Sequence, residues 1–586
     1  MQDAHPQPVT VDALPLPEEV GACHALLQEQ AQALVAAQQS REALQQENAE
    51  LNAYVQRLLR QLYGRRHERV VDDPRQQALD FGDEPAAQDA ICEAAAAAEQ
   101  LIEQVTQRRA ARKPRPRPSQ EKFPPHLPRV EEVVEPPAEQ RECPTHGAKQ
   151  PLGYDVVETL MFERPKLWVL VRKYAKYVCA SEPACGVASA PRPTGLVEGD
   201  RYDASVAAEV IANKYAYHLP LYREQDIFAG SGWTPSRSTL LNLLCASAFA
   251  LQPLGDHLRR WLLADGGLGC DETGVTLIVP PVLPALDPAD PRSARIAEVL
   301  QGAIDAGRPS VRAAMWGYRG FRLPINVFDF TVSRHRDGPR EMLRDYAGLL
   351  MADCYTGFDG IVLESDTRIV RAACWTHARR KVFEVRGNYP QPASVLLAMI
   401  RELYDLEDRA KEMADDERLA LRQREACPVL ARIRDYLQTP ALREALPKSD
   451  LAKATNYLRN HWEQLERYTT DGRFPIDNNE TEQLMKQVAL GRKNWLFVGS
   501  VAGGARAALL MTIVSTAIRN DLDVVAYLRD VLRQLLAGST DYEALCPHVW
   551  KLAHPDAVRV YRVEERRDAA DRRTLRRARR RQARAP

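Results

Sequence analysis

The chain has 586 residues, 45% of them apolar, with 79 Lys+Arg against 79 Asp+Glu and a formal net charge of zero. That balance excludes a fibrous or wholly disordered chain and fits several ordinary globular domains. No run of about 18 uncharged apolar residues occurs, so no transmembrane helix and no membrane partner are expected. The N-terminus lacks the basic start and apolar core of a signal peptide. Its eleven scattered cysteines suit a reduced, cytoplasmic chain rather than a disulfide framework.

The zero charge is a cancellation of separated blocks. Asp72 to Glu103 carries nine acids and one Arg, RRAARKPRPR at 108–117 holds six bases, and Tyr561 to Pro586 has eleven Arg against four acids. Pro-broken basic runs pack no core and often serve as nucleic-acid arms, which singles out Arg112 and Lys113.

Taken in chain order, residues 20–70 read as a coiled coil. A heptad seam runs through Leu44, Leu51, Leu58 and Leu62, with Asn48 at an a position, a pattern that fixes register in a parallel homodimer. Residues 71–129 form an acidic then basic linker, with one short helix expected across EAAAAAEQLIEQV. Residues 130–195 carry two pairs of metal-type ligands, Cys143 with His146 and Cys179 with Cys185. Two thiolate and imidazole pairs suit a closed structural Zn²⁺ site, although the C-x₅-C spacing is wide.

Residues 200–262 suggest a helix-turn-helix: two helices parted by Leu219-Pro220, the turn GSGWTPSRS, and a further helix capped by Ser236 or Ser238. Arg237 then stands where such a unit contacts DNA. From 263 to 383 short β-rich runs dominate, among them VTLIV, AAMWGY, INVFDFTVS and GIVLE. Residues 384–475 return to amphipathic helix, and 476–520 and 521–586 are helical again, the last ending in the Arg tail.

Three carboxylates stand in distinctive settings. Asp271 is read at the end of a buried strand in the apolar run GLGCDETGVTLIV, Asp353 at the end of the strand-like LLMADCYTGF, and Glu482 lies in IDNNETEQLMKQVALGRKNW, where Asn478 or Asn479 can cap a helix. Carboxylates at strand ends plus one on a helix can hold two Mg²⁺ or Mn²⁺ ions for phosphodiester displacement. Arg492 and Lys493, just past Glu482, are candidate phosphate clamps. His377 is a candidate for orienting a phosphate. Trp375 and Trp495 are candidates for stacking on a base, with core packing the alternative for both.

Long motifs then carry a resemblance. LLRQLYGRRHER, NKYAYHLPLYREQDIF, GCDET, ADCYTGF, AACWTHARRKVF, KSDLAKATNYLRNHWEQLERY, IDNNETE and ALGRKNWLFVGSVAGGARAA stand in the order found in TnpC-type transposases of the insertion sequence 66 family. The resemblance implies a multidomain α/β chain: a ribonuclease-H-like catalytic core with a helical insertion, preceded by coiled coil, zinc segment and helix-turn-helix. It maps the catalytic acids onto Asp271, Asp353 and Glu482. It implies a bacterial, nucleoid-associated DDE transposase that binds the element's terminal inverted repeats and target DNA, with accessory proteins of the same element as further partners. Two positions depart from the family pattern: His146 replaces a zinc-region Cys, and Gln483 replaces an Arg after the Glu. The alternative reading is a catalytically inactive, zinc-bearing DNA-binding regulator.

Overall fold

The structure is a computed structural model that describes residues 201–582 continuously and, before them, residues 100–108, 142–143, 147–148, 167–171, 176–178, 187–189 and 194–197. The expected coiled coil lies outside the described residues, as do Arg112 and Lys113. Within the linker, residues 100–108 are helical, where EAAAAAEQLIEQV led a helix to be expected.

Two short hairpins mark the cysteine segment. Strands β1 (Glu142–Cys143) and β2 (Gly147–Ala148) pair antiparallel, with Cys143 opposite Gly147. Strands β3 (Lys176–Val178) and β4 (Val187–Ser189) pair likewise, with Val178 opposite Val187. His146, Cys179 and Cys185 lie outside the described residues.

The described chain divides into two compact units: one holds Met351–Cys354 and Arg371–Asn478, the other the remaining described residues. In the larger unit three helices come first. Helix α1 (Ala204–Tyr215) is capped by Asp203, α2 (Leu221–Ala229) follows Pro220, and α3 (Arg237–Ala264) is capped by Ser236, whose Oγ accepts from the Thr239 N–H at 3.0 Å. The sequence placed these breaks correctly because Pro220 cannot extend a helix and Ser236 satisfies an orphan N–H.

The sheet follows: β5 (Gly267–Ile278), β6 (Ser310–Gly320), β7 (Asn326–Thr331), β8 (Gly348–Ala352) and β9 (Ile369–Ala373), in spatial order β7-β6-β5-β8-β9. β5 pairs antiparallel with β6, and β6 with β7. GIVLE, expected as a strand, instead ends helix α4 (Thr356–Glu364). Phe358 and Ile361 are both buried three residues apart, a helical period that the short apolar run did not reveal.

Edge strand β7 is covered by helix α5 (Val501–Arg519) through side-chain hydroxyls. Thr516 Oγ1 accepts from the Asn326 N–H at 3.1 Å and donates to the Asn326 carbonyl at 2.9 Å, while Thr512 Oγ1 accepts from the Phe328 N–H at 2.8 Å. A sheet edge that would otherwise template aggregation is thereby closed. Helices α3 and α5 are each long and apolar enough to cross a membrane. Here they pack against each other, and α5 against β7.

The smaller unit is chiefly helical, as expected for 384–475. Helix α6 (Trp375–Val385) packs against both α7 (Pro390–Ala410) and α8 (Asp450–Asn460). Its centre is Arg422, on a π-helical segment and 1% exposed, which grips Glu407 at 2.8 and 2.7 Å and donates to the carbonyls of Tyr468, Asp471 and Phe474. A buried guanidinium is tolerated because all its donors are used.

Candidate active site

Asp271 sits inside β5, not at its end, directly opposite Gly317 of β6. Directly paired residues share a sheet face. A Cβ placed on Gly317 would run into Met485 Cε and lie 3.2 Å from Leu484 Cδ2, so that face is covered by helix α9 (Asn479–Trp495) with no side chain between. The missing side chain lets α9 come close to β5 and β6, and Glu482 enters the helix one turn before Met485. The structure therefore brings Asp271 and Glu482, both half-buried, to one face of the sheet.

The first turn of α9 carries a second acid, and the two are treated differently. Glu480 is exposed and bound to Arg319 at 2.5 Å, which fastens α9 to β6. Glu482 is drawn toward the packed side. Beside Asp271, Glu272 is ion-paired with Arg334, whose guanidinium lies 4.7 Å from the centre of the Tyr355 ring. Sequence reasoning missed Glu272, Arg319, Arg334 and Glu480 as partners. Their only signal was acidity next to the chosen acids, and partners more than 60 residues away have no local signature.

Arg492 is turned inward. Its Nη1 donates to the Gly274 carbonyl and to Thr273 Oγ1 at 3.3 Å, locking the end of α9 to β5. Lys493 is exposed. Arg237 is exposed at the start of α3, its Nε donating to Gln225 Oε1 at 3.1 Å, while Gln225 Nε2 donates to the Pro235 carbonyl at 2.7 Å. That chain of bonds fixes the turn between α2 and α3.

In the smaller unit, Asp353 is half-buried and follows the last residue of β8. The Tyr457 hydroxyl is pushed well above its usual range by burial and by the nearby Cys354 and Asp353. His377 is half-buried in the first turn of α6, next to Thr376, whose Oγ1 donates to Asp477 Oδ2 at 3.1 Å and meets Tyr404 Oη at 2.9 Å. Asn478 donates its N–H to Cys374 Sγ at 3.2 Å, so the D-N-N segment is anchored just before α9 begins. Trp375 is fully buried, its Nε1 donating to the Leu465 carbonyl at 2.8 Å; of the two readings for this residue, core packing holds. Trp495 lies half-buried against Gly491.

The chain matches the family model described as Transposase IS66 family over residues 199–281 and 299–506, which spans β5 and the Glu482 helix. A second model, described as Transposase C of IS166 homeodomain, matches residues 50–131. Among curated relatives, the uncharacterized protein y4jD of Sinorhizobium fredii is 32% identical over 440 residues, covering 73% of this chain and 81% of its own. The uncharacterized protein y4hP of the same organism is 28% identical over 527 residues, covering 86% and 89%. With its carboxylate-bearing strand and helix inside the matched span, the chain belongs to the IS66 family of transposases.

Proposed function

We propose that this chain cuts and joins DNA as the metal-dependent DDE enzyme of an insertion sequence, acting on terminal inverted repeats and target DNA. The observation that carries the reading is Asp271 and Glu482 on one sheet face, with the competing acid Glu480 held apart by Arg319. Asp353, directly after β8, is the proposed third acid. A five-stranded order with an antiparallel first half supports a ribonuclease-H-like core.

Oxygen-only, half-buried donors fit a hard divalent cation, so Asp271, Asp353 and Glu482 would hold Mg²⁺ or Mn²⁺. When bound, the metal supplies activation of the attacking hydroxyl and neutralises charge on the scissile phosphate. The chain itself does the positioning. Lys493 offers an exposed charge to a backbone phosphate, and Arg492 keeps α9 in register with β5. Arg237, Arg112 and Lys113 supply further DNA contacts, and His377 orients a phosphate. The partners are DNA, a second copy joined through residues 20–70, and accessory proteins of the same element.

The cysteine segment is the structural metal site, with Cys143, His146, Cys179 and Cys185 holding Zn²⁺. Strands of two and three residues form few ladder pairs, so a metal cross-link would add stability there.

Asp271→Asn, Asp353→Asn and Glu482→Gln are expected to lower strand transfer by more than about 100-fold, the upper cost of losing an outer-shell partner. End binding and the unfolding midpoint should stay unchanged. Full joining by Glu482→Gln would overturn the assignment; loss of end binding in all three would favour a regulator. Metal analysis should find one zinc per chain, absent after Cys143→Ser.

A further inference from the structure

Helix α9 ends in an unusual way. Leu496 adopts φ 65°, the left-handed region where a helix normally terminates on Gly. Its N–H donates to the Arg492 carbonyl at 3.0 Å, and two residues later Val498 joins β5, its N–H on the Thr276 carbonyl at 2.8 Å and its carbonyl accepting from the Ile278 N–H at 2.9 Å. The turn is thus clamped at both ends. Its two middle side chains are left in solvent: Leu496 is 63% exposed and Phe497 50%.

Two exposed cations lie near this turn along the chain and the strand pairing. Arg312 is exposed and is the cross-strand partner of Thr276, the residue to which Val498 is bonded. Its Nε would lie 2.8 Å from a Cβ on Gly274, whose carbonyl Arg492 also binds. Lys493 is exposed one helical turn before Phe497. A solvent-facing Leu-Phe step with the exposed Arg312 and Lys493 nearby in the fold is complementary to a duplex: phosphates on the outside, an apolar gap between bases on the inside.

We propose that Leu496 and Phe497 form a wedge that enters a base step of bound DNA and unstacks it. The proposal rests on the reading of Asp271 as part of the cutting site. From Asp271 to Thr276 is five residues of one strand, about 17 Å at roughly 3.3 Å per residue.

The test uses the full chain and a short duplex of the DNA bordering its own gene, with a single 2-aminopurine walked along it. Fluorescence should rise at one step of the bound duplex. The double variant Leu496→Gly, Phe497→Ser should abolish that rise and slow joining by about tenfold, a modest share of an unstacking cost. Phe497→Trp should keep the rise. A duplex with a mismatch already at that step should restore joining by the double variant, which a purely structural defect would not allow. Binding without a rise at any step, or a rise that survives the double variant, overturns the wedge and leaves the transposase reading standing. No binding to the duplex overturns both. Loss of self-association in the double variant, with fluorescence unchanged, would reassign the pair to a contact between copies of this chain.

Discussion

Glu224 of α2 has no surface in contact with solvent, and burial pushes its carboxyl up to about 8, with Lys214 pulling it down and Glu209 adding to the rise. Burial likewise lowers the Lys214 ammonium. A carboxyl raised by folding keeps its proton in the folded state between its ordinary value of 4.5 and about 8. Stability is therefore highest at the acid end of that window and falls as pH rises through it. Glu224→Gln should remove this slope, raising Tm at pH 8 by an amount on the order of 2 kcal/mol in stability while changing little at pH 5. Thermal unfolding across pH checks it. A variant less stable than the parent at pH 8 would mean that Glu224 is ionised against Lys214. No property of YREQDIF marked this Glu as different from any surface acid, because burial belongs to the packed corner of α1 and α2.

At the scale of elements, the contact between α5 and β7 is the clearest case of side chains completing backbone pairing. Thr512, Ser515 and Thr516 lie at i, i+3 and i+4 and meet Phe328 and Asn326. Thr516→Val keeps the shape but leaves the Asn326 N–H and carbonyl without their hydroxyl. We expect a loss of about 1–3 kcal/mol, measured by denaturant unfolding, with exchange protection falling first at Asn326. A neutral result would mean that ordered water substitutes. Much of the element pattern was legible from sequence. Pro220, Ser236 and the amphipathic 390–468 stretch placed helices correctly, because capping and periodicity are local. GIVLE was misread as strand because three consecutive apolar residues suit either period. Asp271 was expected near a strand end and lies inside β5, since the strand length depends on its long pairing with β6. Of the candidate site, the acids themselves were legible; the arginines that sort Glu480 from Glu482 and hold α9 in place were not.

For the whole molecule, the neutral total charge separates into blocks, and the proposed assembly is through residues 20–70. Ala at Leu44, Leu51 and Leu58 together should convert a dimer to a monomer in sedimentation while leaving the unfolding of residues 201–582 unchanged, since the seam is the only apolar stripe the heptad offers. A dimer that persists would place self-association elsewhere, the exposed Leu496-Phe497 pair being the next surface to examine. What the sequence determined by itself was what local physics and long motifs encode: the helix breaks at Pro220 and Ser236, and the family. The tertiary structure decided what depends on residues far apart in the chain. Gly317 admits α9 to the face of Asp271, Arg319 withdraws Glu480, Arg492 turns inward to Gly274, and Leu496 is held outward in a conformation no local preference favours. Each follows from close packing between distant segments, where a missing side chain or a single ion pair selects which neighbour is exposed.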